Sequence, residues 1–295
     1  MAAIGFVGLG NMGAPMAANL LKAGHAVRGH DLNPAACAAL REAGGTIAAS
    51  LAEIAAAEVV ITMLPAGAHV RAVLTDVLAH ARPGTLLIDS STIDVETTRA
   101  LHAAARQAGC AMLDAPVSGG VGGATAGTLT FMVGGATEEF ARAQPVLSGM
   151  GRTIVHCGDA GCGQAAKACN NMVLAISMIG VCEAFALADR LGLSAQALFD
   201  VVSKSSGQCW SLTNYCPVPG PVPAAPSNHG YAAGFTAALM LKDLSLATGA
   251  AAAAGQHVPL GDHAARLFGA LVEAGYGAKD FSVMMRAVQA NALPA

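Results

Sequence analysis

Apolar residues in the first half of the chain fall in short runs separated by segments with helical spacing. Residues 3 to 7, Ala-Ile-Gly-Phe-Val, make an apolar run of buried-strand length. Comparable runs stand at 26–30, 46–47, 59–64, 85–88, 111–113, 129–133 and 154–157. Helical patterns are expected from Gly13 to Ala23 and near 34–43, 51–57 and 68–78. Strands that alternate with helices in this way predict a parallel, doubly wound sheet. Beyond residue 160 the strand runs stop. Helical spacing predicts a long helix over 164–191, ended by Gly192, another from Ser194, and further helices over 235–254, 263–274 and 280–288. The proline-rich stretch 216–226 reads as a loop. The expected fold class is therefore α/β: an N-terminal Rossmann-type dinucleotide-binding domain over 1–162, then an all-α C-terminal domain over 163–295. That second domain opens with a long inter-domain helix and is expected to serve substrate binding and oligomerisation.

Composition sharpens this picture. A chain of 295 residues suits two domains. It is 54% hydrophobic and 12% charged, where ordinary proteins carry roughly 25% charged residues. Much of the apolar excess is alanine, which suits closely packed helices and surface buried between subunits, so a homo-oligomer, dimer or tetramer, is expected. A net charge of -3 without a basic run argues against nucleic acid. No run reaches the roughly 18 uninterrupted apolar residues of a membrane span; the nearest, 172–182, contains Ser177 and Gly180 and ends at Glu183. No basic stretch precedes the first strand, so neither a signal peptide nor a membrane partner is expected, and the localisation should be cytoplasmic. None of the eight cysteines forms a Cys-x-x-Cys pair. The spacing of His156, Cys157, Cys162 and Cys169 fits no zinc pattern, so reduced thiols and no metal are expected.

Candidate chemistry begins where the first strand ends. Gly8-Leu9-Gly10-Asn11-Met12-Gly13 is Gly-x-Gly-x-x-Gly after a strand and at the opening of a helix. The first glycine serves the tight turn, the second lets backbone approach a pyrophosphate, and the third lets helix and strand pack closely. Asp31 ends the second strand about 20 residues later, where an acid accepts from ribose hydroxyls. An acid there repels a 2′-phosphate and Leu32-Asn33-Pro34 brings no arginine, so NAD is expected as cofactor over NADP, although Arg28 lies three residues back in the strand. Leu64-Pro65 and Ser90-Ser91-Thr92 follow later strands and are candidate cofactor contacts, with ordinary strand-end turns as the plain alternative. Ser118-Gly119-Gly120 offers a hydroxyl and accessible backbone N–H groups suited to a carboxylate or phosphate. Lys167 and Asn171, four apart on the long helix, share one face just before an apolar stretch. Desolvation lowers the pKa of a lysine, which turns an ammonium into a usable base; a merely solvated lysine is the alternative.

Four motifs together resemble the β-hydroxyacid dehydrogenase family over essentially the whole length: Gly8 to Gly13, Asp114 to Gly120, Gly163 to Asn171, and Lys242-Asp243-Leu244. The runs 205–211 and 214–220 resemble its 3-hydroxyisobutyrate dehydrogenase branch. The resemblance implies NAD-dependent oxidation of 3-hydroxyisobutyrate to methylmalonate semialdehyde, a step of valine degradation. It implies that Ser118, Gly119 and Gly120 hold the substrate carboxylate and that Asn171 orients the substrate. Lys167 would take the hydroxyl proton as hydride moves to the nicotinamide, and Lys242 would be a second cation near cofactor or substrate. A sibling acting on tartronate, glyoxylate or succinic semialdehyde, and a non-catalytic cofactor-binding scaffold, are the alternatives; the scaffold reading is disfavoured by the presence of Lys167.

Overall fold

In the computed structural model, which describes residues 1–293, the first half alternates strand and helix as its pattern predicts. The order is β1 (Ala3–Val7), α1 (Gly13–Lys22), β2 (Ala26–His30), α2 (Pro34–Glu42), β3 (Thr46–Ile47), α3 (Leu51–Ala55) and β4 (Val59–Thr62). Then come α4 (Gly67–His80), β5 (Leu86–Asp89), α5 (Val95–Gln107), β6 (Ala111–Asp114) and β7 (Val117–Ser118). The sheet is completed by α6 (Gly120–Ala126), β8 (Leu129–Gly134), α7 (Thr137–Leu147) and β9 (Gly151–Gly158). Its order is β3-β2-β1-β4-β5-β6-β8-β7, with β9 beside β8. The six strands from β3 to β6 run parallel, whereas β8 runs against β6 and β7.

Both faces of this sheet are buried, and its side chains alternate between two cores, as the period of a strand requires. Ile4, Phe6, Val59, Ile61, Leu86 and Ile88 point to the core that holds Met16 and Leu20 of α1. Val7, Val60, Leu87 and Met112 point to the other, with Ile54, Val70, Leu74 and Leu101 from α3, α4 and α5. Strand register brings the carboxyl ends level. His30 pairs with Val7, Val7 with Thr62, Thr62 with Asp89, and Asp89 with Asp114. Residues just past these positions therefore share one edge, where doubly wound sheets bind ligands around the reversal of strand order between β1 and β4.

The chain then becomes helical: α8 (Cys162–Arg190), α9 (Ala195–Val202), α10 (Trp210–Thr213), α11 (Ala237–Ala253), α12 (Pro259–Leu271) and α13 (Met284–Gln289). Two compact units result, Met1–Lys167 and the remainder from Ala168. The division falls inside α8, so this helix belongs to both. In the second unit, Ala175, Met178, Cys182 and Phe185 of α8 pack with Met240 and Leu244 of α11, Leu267 and Phe268 of α12, and Met284 and Met285 of α13. By length and composition alone α8 is apolar enough to cross a membrane, a property the interrupted run 172–182 did not suggest. Its inward stripe is part of this core.

Several boundaries differ from the sequence pattern. α5 and α7 occupy segments for which the pattern gave no helix. α5 is capped by Asp94, which accepts from Thr97 N at 2.6 Å, and α7 contains Pro145, which reads as a breaker. α12 starts at Pro259, a favourable first helical residue, rather than near 263. A 3₁₀ turn, Phe281–Val283, precedes α13.

Candidate active site

The glycine loop has the geometry its sequence requires. Gly8 has φ +94, and a Cβ there would lie 2.3 Å from Met63 O. A Cβ on Gly13 would lie 1.8 Å from Gly8 O, so only glycine lets α1 start against the end of β1. Gly10 is different: a Cβ there would meet nothing within 4 Å. Space is therefore open over the first turn of α1, beside Asn11 and Met12, where a helix start presents its N–H groups. Asp31 is drawn onto this loop. One carboxylate oxygen accepts from Leu9 N at 2.6 Å and the other from Asn33 N at 2.7 Å. Arg28 points to solvent from the middle of β2. The residues present thus suit a dinucleotide: an open anion cradle with a fixed acid beside it.

Along the same edge, Thr62 Oγ1 and Ser91 N donate to Asp89 Oδ1 at 2.7 and 3.1 Å, and Ser91 Oγ accepts from Leu64 N at 2.8 Å. These bonds tie the segments containing Leu64, Pro65 and Thr92 to each other. Asp89 is fully buried, and its second oxygen has no hydrogen-bond partner among the described residues. Burial pushes its carboxyl above the usual range, with the Asp114 charge adding to the rise.

At the end of β6, Asp114 holds the start of α8. Oδ1 accepts from Gly161 N and Oδ2 from Gln164 N, each at 2.9 Å, and His102 Nε2 lies 2.9 Å from Oδ1. The helix is therefore capped by a carboxylate about 50 residues earlier in the chain, not by its own neighbour. Gly163 permits this approach, since a Cβ there would lie 2.4 Å from Met132 O and 2.5 Å from Asp114 O. The Gln164 side chain fastens the same turn to the segment after β5: Nε2 donates to Ser91 O at 2.8 Å, and Oε1 accepts from Ile93 N at 3.2 Å. Thr92 lies between those two anchors.

One stripe of α8 is buried at Gln164, Lys167, Asn171, Ala175, Met178, Cys182 and Phe185. Its spacing of three and four is that of one helix face. The polar head of the stripe is unusual, because such residues are rarely buried without a role or a partner. Lys167 is only 7% exposed, so the reading of a solvated surface lysine does not hold. Lys167 is the last residue of the first unit, and Asn171 belongs to the second. Within that second unit, Asn171 Nδ2 donates to buried Asp243 Oδ2, and Lys242 Nζ lies 3.7 Å from Asp243 Oδ1.

Ser118 ends β7, and Gly119 and Gly120, exposed and with φ of +131 and +60, turn the chain into α6. The short helix that follows is fastened to α1 by Asn19 Nδ2, which donates to Ala124 O at 2.7 Å. Trp210 is half exposed and stacks on Tyr215 at 4.8 Å. Tyr215 stacks in turn on Phe281 and donates to Asp280 Oδ2 at 2.8 Å. Its hydroxyl is pushed well above the usual tyrosine range by burial and by the Asp280 charge.

Asp89 and His102 were not singled out in the sequence, and Gln164 and Asp243 appeared there only inside longer motifs. Gln164 had a readable signal, standing three residues before Lys167 on the same face. Asp89 and His102 had none, because Thr62 and Asp114, their side-chain partners, lie 27 and 12 residues away.

Comparison with known proteins accords with this architecture. Residues 3–158 match the NAD binding domain of 6-phosphogluconate dehydrogenase, and residues 161–288 match the NAD-binding domain of NADP-dependent 3-hydroxyisobutyrate dehydrogenase. The chain is 55% identical over 293 residues to a probable 3-hydroxyisobutyrate dehydrogenase of Mycobacterium tuberculosis, covering 99% of each. It is 49% identical over 290 residues to an NAD-dependent L-serine dehydrogenase of Pseudomonas aeruginosa, covering 97% of each. A solved structure of the Mycobacterium tuberculosis 3-hydroxyisobutyrate dehydrogenase with L-serine superposes with a TM-score of 0.95 at 54% identity, covering 98% of this chain and 99% of that one. With a dinucleotide cradle, a buried lysine and whole-length identity of this order, the chain belongs to the 3-hydroxyisobutyrate dehydrogenase family of NAD-dependent oxidoreductases.

Proposed function

We propose that the chain oxidises 3-hydroxyisobutyrate to methylmalonate semialdehyde, as in valine degradation, with Lys167 as general base. The observation that carries this reading is the burial of Lys167 on a helix start fastened to the ligand edge of the sheet. Gly8, Gly10, Asn11, Met12 and Gly13 hold the cofactor pyrophosphate, and Asp31 accepts from its ribose hydroxyls, which favours NAD over NADP. Leu64, Pro65, Thr92 and Lys242 are further cofactor contacts. Bound NAD supplies the hydride acceptor. Ser118, Gly119 and Gly120 take the substrate carboxylate, and Asn171, oriented by Asp243, positions the substrate. The hydroxyl proton passes to Lys167 Nζ as the carbinol carbon loses its hydride, and the lysine returns it in the reverse direction. Domain roles follow from this assignment: residues 1–162 bind cofactor, and 163–295 serve substrate positioning and self-association. The protein works in the cytoplasm as a homo-oligomer.

L-Serine is a second reading, favoured by the name of the Pseudomonas relative and by the serine in the related structure's title. Like 3-hydroxyisobutyrate, it is a carboxylate with a hydroxyl on the third carbon. Initial rates with both compounds, tartronate semialdehyde, glyoxylate and succinic semialdehyde, each with the NAD or NADP couple, separate the readings. The reading expects the highest kcat/KM for 3-hydroxyisobutyrate with NAD; a higher value for serine or a semialdehyde replaces it.

A further inference from the structure

We infer that Asp114 is a positioning residue for the proton-transferring lysine, fixing both the seat of Lys167 and the charge that its amine experiences. This rests on the assignment of Lys167 as the acid/base group. Asp114 is wholly buried and accepts from two backbone N–H groups of the entry into α8, at Gly161 and Gln164. Glycine stands on both sides of its carboxylate. A Cβ on Gly134 would lie 2.7 and 2.8 Å from its two oxygens, and one on Gly163 would lie 2.8 Å from Oδ2. The carboxylate thus occupies a slot with no slack, and the slot sets the rotation and height of the first helical turn.

Lys167 follows Gln164 by three residues, a rise of about 4.5 Å along the same face. The positive end of the helix dipole opposes an ammonium in the first turns. A carboxylate at that end does the reverse and favours the charged lysine. Asp114 therefore counters the dipole of the helix it caps. The other titratable groups around it come from each packed element: His102 of α5 at 2.9 Å, Asp89 of β5, Cys157 of β9, and Cys162 of α8 itself. β8 contributes only glycine at this point. Among these, His102 alone can bring a positive charge, and Arg99 of α5 adds a guanidinium at the same entry, with Nε 3.4 Å from Ala160 O.

The test uses full-length enzyme, with active sites counted by NADH titration so that only folded protein enters the rate. In hydroxyacid oxidation by the wild type, kcat rises with pH along an acid limb as the lysine deprotonates. Asp114→Asn keeps the shape and one acceptor oxygen but removes the charge. Its acid limb should move down by about one pH unit, as loss of a nearby negative charge destabilises the ammonium. Its plateau should fall by about tenfold or more, with NADH affinity within twofold of wild type. Asp114→Glu keeps the charge but adds a methylene that the slot cannot take. Its limb should stay in place while the plateau falls, and this variant still tests the positioning if Asp114→Asn does not fold. A limb and plateau unmoved in Asp114→Asn, or a wild-type plateau in Asp114→Glu, overturns the inference. Failure of the underlying assignment looks different: Lys167→Arg would retain activity and the same acid limb, whatever Asp114 does.

Discussion

Lys167 is buried, and the expected consequences of changing it are specific. Lys167→Ala should lower kcat by about 10² to 10⁴, the usual worth of a general acid/base, while fluorescence titration shows near wild-type NADH affinity. Lys167→Arg should not restore the rate, because a guanidinium keeps its proton; an active arginine variant would leave Lys167 with a binding role only. Asp31 is held by Leu9 N and Asn33 N, so its carboxylate is fixed before any ribose arrives. Asp31→Ala should narrow the ratio of kcat/KM for NAD over NADP, and an unchanged ratio would move cofactor selection elsewhere. Asp89 gives a pH-dependent effect. Its carboxyl is raised in the fold, so the neutral form is the favoured one. Its contribution to stability is full below the ordinary carboxylate pKa and is lost as pH rises through the raised value. Asp89→Asn, neutral at every pH, should therefore melt higher than wild type at pH 8, with the difference vanishing toward pH 4.

At the scale of elements, the turn from β7 into α6 is the most exposed to substitution. Gly120 has φ +60, so Gly120→Val combines backbone strain with a branched side chain over the proposed carboxylate seat. Substrate KM should rise steeply while NADH binding holds. Ser118→Ala should raise KM more mildly. If both variants keep wild-type kinetics, the carboxylate is bound elsewhere. Legibility in the sequence followed the range of the interactions. The glycine loop, β1 to β6 and α8 could be read because their determinants are contiguous or strictly periodic. α7 was missed because Pro145 interrupts its pattern, and α5 because Val95, Thr97 and Thr98 make its first turns poor helix formers, despite the cap at Asp94. The capping of α8 by Asp114 was unreadable for a different reason. It joins residues 47 and 50 positions apart, and no local pattern records such a pairing.

For the molecule as a whole, the low charge content has a visible counterpart. Val173, Leu187, Leu191, Val201 and Leu260 of the helical unit are exposed in the single chain. Apolar side chains in such number favour burial against another copy. Light scattering at micromolar concentration should give a mass at least twice that of one chain, and a monomer would contradict the oligomer. Deep within α8, Phe185→Ala should cost about 3 to 5 kcal/mol, read as a lower melting temperature.

The buried stripe of α8 also bears on which genetic changes this enzyme can tolerate. Catalytic head and apolar core lie in one helical phase, so length matters there more than composition. One residue inserted after Ala168 would advance everything beyond it by about 100°. Lys167 would stay where the cap holds it, while Asn171 and Phe185 would swing off their face together. Substitutions at exposed Cys169 or Asn170 leave that phase untouched. Descendants of this sequence should therefore vary more readily in polar letters on the outer face of α8 than in the number of residues that separate Gln164 from Phe185.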